Sequence, residues 1–179
     1  MHSVPTLSTP RLRLRGFTAH DLDTWAAVCA DAEVMQHIGA GGPVGRDVAW
    51  RHLALYLGQW AMRGYGVWAV ELRAERRLIG SVGVLHPEGW PGVELSWLLA
   101  RDAWGQGYAR EAALAARSFS RDALGVGELI SLIRPDNTRS LKLAETLGAL
   151  NTGPIEFMGA SALRYLHPTA APVAGRVGG

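Results

Sequence analysis

Two residue types are almost missing from this 179-residue sequence, which contains one cysteine, Cys29, and one lysine, Lys142. A single cysteine cannot form an intramolecular disulfide, and no group of cysteine and histidine residues has the spacing of a zinc site. These absences exclude a disulfide-stapled secreted domain and a zinc finger. They favour a protein of the reducing cytoplasm that holds no metal.

Long apolar runs and runs of basic residues are also absent. No segment approaches the roughly eighteen consecutive apolar residues that a membrane-spanning helix needs, and the polar N-terminal stretch lacks the apolar centre of a signal peptide. Lysine and arginine number 18 against 16 aspartate and glutamate residues, and the basic residues do not cluster. We therefore expect no membrane segment and no nucleic-acid partner.

Apolar residues, in contrast, are abundant enough to build a full core. Hydrophobic residues make up 48% of the sequence and charged residues 19%, as is typical of a folded globular protein. The length suits a single domain, which we predict over residues 1–167. Residues 168–179 are rich in alanine, glycine, proline and valine and are predicted to form a disordered tail.

The order of the predicted elements is that of an α/β protein. The stretch "RLRLRGF" alternates in polarity, as a strand does, and Thr18 with Asp21 predicts a capping box at the next helix. Gly64 is predicted to end a second helix. The remaining predictions are a loop over Gly39–Gly45, a hairpin around Arg73–Arg77, strands Val93–Leu99 and Glu128–Ile133 with a helix between them, a helix from about Thr138 to Leu147, and late strands near Ile155–Met158 and Ala162–Leu166.

The segment "RDAWGQGYAREAALAAR", Arg101–Arg117, connects the two central strands. A helix between neighbouring strands makes them parallel, and ligands of such sheets gather at the carboxyl ends of the strands. Gly105 and Gly107 let the backbone approach a ligand there, and the free amides of a helix start favour an anion. The alternative is a structural helix whose alanine face packs tightly on the sheet. That face comprises Ala109, Ala112, Ala113 and Ala116.

The stretch "WGQGYA" after a strand, with "NTRS" opening the next helix, resembles the acetyl-CoA site of the GNAT superfamily of N-acetyltransferases, in particular its RimJ/RimL-type branch. The likeness extends over residues 7–166. Trp104 stands where the superfamily pattern has Gln or Arg, and Gly107 and Ala109 fill its later positions. The resemblance implies a GNAT fold, α/β (α+β), with a mixed central sheet, splayed parallel strands and flanking helices. It also implies acetyl-CoA as cosubstrate.

The resemblance implies which residues bind acetyl-CoA. Backbone amides from Gly105 to Arg110 would hold the pyrophosphate, with Gly107 lacking a Cβ because the phosphate lies against the backbone. The preceding strand would pair with the pantetheine arm. Asn137 would hydrogen-bond to that arm or serve only as a helix N-cap, and Arg101 is left open as a phosphate ligand. The implied cofactor-binding residues are Leu98, Leu99, Ala100, Trp104, Gly105, Gln106, Gly107, Tyr108, Ala109, Arg110 and Asn137.

For catalysis the resemblance indicates Glu94 and Ser140. Acetyl transfer needs a base that removes the amine proton, and it benefits from an acid that protonates the leaving thiolate. Glu94 would be the base, directly or through water, unless it faces solvent or pairs with an arginine. Ser140 would be the acid, because Ala144 stands near the position where many members carry a tyrosine. Tyr108 is the weaker candidate.

The implied reaction is direct transfer of the acetyl group to a primary amine in a ternary complex. The acceptor is either a protein or peptide N-terminus or a small-molecule amine, bound by the first two helices and the Gly39–Gly45 loop. The oligomeric state is left open, with a homodimer as one candidate. Two other classes are weighed. One is a non-catalytic acyl-CoA-binding sensor; the other is a dinucleotide-binding oxidoreductase, whose third glycine this turn lacks.

Overall fold

The computed structural model describes residues 4–168, so the predicted tail lies outside the described residues except for Pro168. The described part contains eight strands and five α-helices. In chain order these are β1 (Leu7–Ser8), β2 (Leu12–Arg15), α1 (Leu22–Cys29), α2 (Ala32–Met35), α3 (Arg46–Arg63), β3 (Val67–Leu72), β4 (Arg77–Leu85), β5 (Glu94–Leu99), α4 (Tyr108–Asp122), β6 (Ile130–Ile133), α5 (Thr138–Thr146), β7 (Leu150–Phe157) and β8 (Ala160–Leu166).

All eight strands belong to one sheet, in the order β1-β2-β3-β4-β5-β6-β8-β7. Neighbouring strands are antiparallel except β5 and β6, which α4 connects and which run parallel. Within the described residues, the parallel ladder has the single facing pair Glu94 and Ile130. The amide of Ile130 donates to the carbonyl oxygen of Val93 at 2.9 Å, and beyond this point the strands separate. The predicted mixed sheet with splayed parallel strands is confirmed.

The start of α4 is held next to the end of β5 by close packing. Ala112, Ala113 and Ala116 are fully buried, and the helix contacts both β4 and β5. Small side chains on this face let the helix backbone approach the strands, as the alanine spacing predicts. Because the helix cannot slide on such a tight contact, its N-terminal turn is fixed relative to the sheet.

The two faces of the sheet bury separate apolar cores. Successive strand residues point to opposite faces. Trp68 and Val70 therefore pack on the side of α4, whereas Val67 and Ala69 pack with Trp25 on the side of α1. Across residues 4–168, none of the helices combines the length and apolarity needed to cross a membrane.

Two predicted helix boundaries are confirmed. Thr18 and Asp21 form the capping box before α1, with the Thr18 amide donating to the Asp21 carboxylate at 2.7 Å. The same carboxylate pairs with Arg15 at 2.7 Å, which ties β2 to this helix start. α3 ends where Gly64 adopts φ 72°, a left-handed conformation that favours glycine.

Three elements differ from the sequence prediction. β1 has two residues and α2 has four, and such lengths are too short for hydrophobic periodicity to reveal. β7 begins at Leu150 rather than near Ile155. Gly153 and Pro154 interrupt its pattern as turn residues would, and the strand accommodates them at a register shift between Asn151 and Pro154.

Candidate active site

A cleft of about 600 Å³ opens where β5 ends and where α4 and α5 begin. The end of β5 and the turn before α4 form one side, α5 forms the opposite side, and Val34, His37 and Ile38 close it from the α2 side. Nine of the eleven predicted cofactor residues line this cleft. They are Leu98, Leu99, Trp104, Gly105, Gly107, Tyr108, Ala109, Arg110 and Asn137.

The other two predicted cofactor residues, Ala100 and Gln106, lie beside the cleft with their polar groups engaged. The amide of Ala100 donates to the carbonyl oxygen of Ile79 at 2.8 Å. The side-chain amide of Gln106 donates to the carbonyl oxygen of Asp102 at 3.0 Å. Both groups therefore stabilise the end of β5 and the turn before α4, and they do not form part of the cleft lining.

The turn before α4 has the backbone shape of an anion-binding loop. Gly105 and Gly107 have φ values of 74° and 78°, where a Cβ is strained, and Gly107 is the N-cap of α4. The first amides of a helix have no intrahelical partner, and here they lie at the cleft because Gly107, Tyr108 and Ala109 line it. A helix start of this kind favours a bound phosphate.

Arg11, which the sequence analysis missed, holds this turn from its position just before β2. Its guanidinium donates to the carbonyl oxygen of Gln106 at 2.8 Å and to the Glu111 carboxylate at 2.7 Å. It also lies over the Tyr108 ring, 4.5 Å from the centroid. Arg11 precedes Gln106 by 95 residues, so no local pattern links the two.

Three cationic side chains line the cleft: Arg110, Arg139 and Lys142. The Arg139 guanidinium stacks over the Trp104 ring at 3.7 Å, and the Trp104 indole donates to the carbonyl oxygen of Leu99 at 2.9 Å. Trp104 therefore connects the end of β5 to a cation on α5. The three cations give the cleft a positive potential, which suits a ligand with several phosphates.

Arg101, left open as a phosphate ligand, is not part of the cleft lining. Its guanidinium pairs with Glu33 at 2.6 Å and with Asp31 at 3.2 Å, both at the start of α2. The residue thus connects α2 to the segment that follows β5.

Asn137 and Ser140 stand between the cleft and a second, smaller cavity of about 70 Å³. Asn137 is the predicted N-cap of α5, because its side-chain oxygen accepts a hydrogen bond from the Ser140 amide at 3.2 Å. The Ser140 hydroxyl oxygen accepts a hydrogen bond from the Trp97 indole at 3.1 Å. All three residues line both cavities, so the two spaces share one wall.

Glu94 lies in the smaller cavity, half-buried at the point where β5 and β6 separate. Its carboxylate accepts a hydrogen bond from the Trp90 indole at 2.6 Å and another from the backbone amide of Leu132. Within residues 4–168 it has no ion pair, so the alternative of an arginine partner is wrong. Burial raises the pKa of Glu94 to about 7, which the two hydrogen bonds offset only in part.

His37 was not singled out by sequence, yet it lines both cavities. Its ring faces the Asp136 carboxylate at 3.3 Å. Next to it, the Arg134 guanidinium donates to the carbonyl oxygen of Gly39 at 2.5 Å. These contacts fasten the turn after α2 to the loop before α5. Only the start of the predicted Gly39–Gly45 loop is therefore near the site.

No group of three or more histidine, cysteine, aspartate or glutamate side chains in the described part of the chain is arranged to hold a metal ion. Among the polar groups of the two cavities are the Glu94 carboxylate, which lines the smaller one, and the Ser140 hydroxyl and the Asn137 amide, which line both. A carboxylate and a hydroxyl can exchange protons, and all three groups form hydrogen bonds.

Comparison with known proteins decides the family. Residues 11–150 match the model of the acetyltransferase (GNAT) domain. The chain belongs to the GNAT acetyltransferases. The crystal structure of an acetyltransferase from Agrobacterium tumefaciens has 31% identity and a TM-score of 0.82, covering 93% of this chain and 95% of that one.

Two other proteins are similar to this GNAT acetyltransferase at lower sequence identity. The uncharacterised N-acetyltransferase YoaA of Bacillus subtilis is 24% identical over 170 residues, covering 94% of this chain and 92% of the relative. A ribosomal-protein alanine acetyltransferase from Vibrio fischeri shares the fold, with 17% identity and a TM-score of 0.71 over 91% of this chain and 94% of that one. GNAT acetyltransferases use acetyl-CoA as cosubstrate, so the chemistry to be accommodated is acetyl transfer.

Proposed function

We propose that this acetyltransferase transfers the acetyl group of acetyl-CoA directly to a primary amine in a ternary complex. The observation that carries the proposal is the shared wall of Trp97, Asn137 and Ser140. It separates a cleft lined by cations from a cavity that contains one carboxylate near neutral pKa. A thioester at this wall would have the cofactor on one side and the base on the other.

The placement of acetyl-CoA follows from charge and from backbone shape. Its phosphates would lie at the start of α4 and near Arg110, Arg139 and Lys142. Its pantetheine arm would run along β5 past Leu98 and Leu99, toward Asn137. The splay between β5 and β6 supports this path, because it leaves strand backbone on that side of β5 without a neighbouring strand.

The proposed step moves two protons. Glu94 accepts the proton of the amine, directly or through a water, and the amine nitrogen forms a bond to the thioester carbon. The C–S bond breaks, and the departing thiolate takes a proton from Ser140. Ser140 then recovers a proton from solvent and Glu94 releases its own to solvent, so the products are the amide and the free CoA thiol. The Ser140 oxygen accepts a hydrogen bond from the Trp97 indole, so its own proton is free to be donated to the sulfur.

Direct transfer is favoured over an acetyl-cysteine intermediate. Cys29 is the only cysteine, and it is buried in the core on the α1 side. Burial raises its pKa to about 12, so the thiol is not a nucleophile at neutral pH.

For the acceptor we propose the N-terminal amine of a protein or peptide. The cavity beside Glu94 holds about 70 Å³, room for an amine and little more, so the rest of the acceptor must lie outside it. A chain terminus on an extended strand satisfies that condition. A ribosomal-protein alanine acetyltransferase shares the fold at 17% identity, and an acceptor of this kind is the one that the RimJ/RimL-type resemblance implies.

Turnover is tested by incubating the protein with acetyl-CoA and each of three acceptor groups. These are short peptides with different first residues, the same peptides with a blocked N-terminus, and small amines. Release of free thiol and a mass gain of one acetyl group on the free-terminus peptides only is the expected result. Acetylation of small amines alone would contradict the acceptor assignment. Cofactor binding without any acetylation would favour the sensor.

Cofactor binding is tested separately by thermal shift. A ligand present at about 100 times its dissociation constant stabilises the fold by roughly 2.7 kcal/mol, which raises the melting temperature measurably. Acetyl-CoA and CoA should produce this shift and NADH should not. An equal or larger shift with NADH would overturn the cofactor assignment and favour a dinucleotide-binding protein.

A further inference from the structure

Trp90, four residues before Glu94, is held in place by contacts with three parts of the protein. It follows a turn in which its amide donates to the carbonyl oxygen of Pro87 at 3.1 Å and Gly89 has φ 84°. Its ring meets the Phe157 ring edge-on, with the centroids 4.8 Å apart. Trp90 also packs against the core on the α1 side. The indole is therefore oriented by the loop before β5, by the core and by the end of β7.

The single polar group of this indole forms a hydrogen bond with Glu94. The Nε1–H donates to the carboxylate at 2.6 Å, a short distance typical of a hydrogen bond to a charged acceptor. The backbone amide of Leu132 on β6 donates to the same carboxylate. The carboxylate is thus held by two donors, one from the loop before β5 and one from β6.

The charged and titratable groups around Glu94 are directed elsewhere. Just after β6, the Arg134 guanidinium donates to the carbonyl oxygen of Gly39, and after α2 the His37 ring faces Asp136. On α3, the half-buried Tyr56 hydrogen-bonds to the Ser81 side chain, and its pKa is raised chiefly by desolvation, with Glu94 acting in the same direction. Trp90 is therefore the one side-chain hydrogen-bond donor to Glu94 in the described chain.

We propose that Trp90 is a positioning residue that orients the Glu94 carboxylate for proton transfer from the acceptor amine. This rests on the proposed role of Glu94 as base. The hydrogen bond from the indole is stronger to the charged carboxylate than to the protonated acid, so it stabilises the charged form. Trp90 therefore also sets the pH at which Glu94 becomes a base. Without this donor the carboxylate can rotate, and it binds its proton more tightly.

The variant Trp90→Phe tests the proposal in the acetylation assay. Phenylalanine keeps an aromatic ring against Phe157 and removes the donor. We expect kcat to fall about tenfold and the acidic limb of the kcat profile to move about one pH unit upward, since a hydrogen bond to a charged group is lost. The KM for acetyl-CoA should not change, because Trp90 does not line the cofactor cleft.

The matched control is Trp68→Phe. It also removes a tryptophan donor, one that reaches the carbonyl oxygen of Pro5 at 2.8 Å in the core on the opposite face. It should lower the melting temperature without moving the pH profile. If Trp90→Phe behaves in the same way, Trp90 is a packing residue and the proposal fails.

A second measurement needs no activity. In protein labelled with 5-fluorotryptophan, the ¹⁹F resonance absent from Trp90→Phe belongs to Trp90. We expect this resonance to titrate with a midpoint near pH 7 and to lose that titration in Glu94→Gln. A resonance that does not titrate overturns the coupling even if the protein acetylates amines. A titrating resonance in a protein without transferase activity supports the coupling while the proposed function fails.

Discussion

The two sides of the candidate site have opposite electrostatic environments. On the cofactor side, the turn from Gly105 to Arg110 is largely exposed and surrounded by cations, so a phosphate would exchange water for backbone amides and counter-charges. On the base side, Glu94 has no ion-pair partner among residues 4–168, and burial raises its pKa to about 7 against two hydrogen bonds that lower it. Binding an anion calls for accessible positive charge, whereas accepting a proton near neutral pH calls for its absence.

The first test of this contrast removes the proposed base. Glu94→Gln should lower kcat about a thousandfold at pH 7, within the range found for loss of a general base. Raising the pH should restore part of the rate, because the acceptor amine then loses its proton to solvent. Thiol release measured from pH 6 to 9 checks this. The control is Glu88→Gln, an exposed carboxylate in the preceding loop. An equal loss at every pH would indicate that Glu94 positions the acceptor.

The cost of keeping Glu94 away from cations should appear as a pH dependence of stability. Its pKa rises from 4.5 to about 7 on folding, so the folded protein keeps a proton that the unfolded chain releases. The stability that Glu94 contributes is therefore fully present below about pH 4.5 and is lost as the pH rises to about 7. The full shift corresponds to about 3 kcal/mol.

That loss is read from melting temperatures of the parent and of Glu94→Gln between pH 4.5 and 8. At about 2–4 °C per kcal/mol for a chain of this size, the parent should lose several degrees relative to the variant. The variant serves as the reference because Gln does not titrate. A difference that stays constant across this interval would mean that Glu94 ionises in the folded protein as it does in water.

On the cofactor side, we expect the largest loss of acetyl-CoA affinity from a substitution at Gly107. Gly107→Val puts a β-branched residue at φ 78°, and its Cβ would lie 3.4 Å from the Arg11 guanidinium. We expect acetyl-CoA to bind about a hundredfold more weakly as the turn distorts, since left-handed backbone costs about 1–2 kcal/mol and the phosphate loses its approach. Calorimetric titration measures the affinity.

The control for Gly107 is Gly127→Val, an exposed position with open space around it. Circular dichroism establishes that both variants fold. If folded Gly107→Val binds CoA as well as the parent does, the phosphates lie elsewhere.

The smallest effect is expected at the wall between the two sides. Ser140→Ala should lower kcat about tenfold with little change in the KM of the acceptor, because the hydroxyl acts on the leaving thiolate rather than on the amine. Ser118→Ala, at an exposed serine of α4, is the control. An unchanged rate would leave Asn137, Tyr108 or a water as the proton donor.

The same contrast explains which parts of the site could be predicted from sequence. The turn at Gly105 and Gly107, the alanine face of α4 and the N-cap at Asn137 are local patterns, and all three are present. The splay of β5 and β6 follows from family resemblance, since no local pattern encodes the length of a ladder.

The supporting residues could not be predicted in this way. Arg11 reaches the turn from the far end of the sequence, and Phe157 reaches Trp90 from the end of β7. Glu94 was predicted as a base, but its lack of a cation depends on where Arg134 and His37 are directed. Such contacts depend on the three-dimensional arrangement of distant segments, for which a single sequence carries no spacing rule.

The scarcity of lysine has a practical consequence. Lys142 is exposed, lines the cleft and is the only lysine in the sequence. An amine-reactive reagent therefore meets one side-chain amine on this chain, in addition to the amine at the chain terminus. The extent of labelling at this position, followed by peptide mass spectrometry, reports directly on whether the cleft is occupied. The protein thus carries a footprinting site for its own ligand, with no engineered probe.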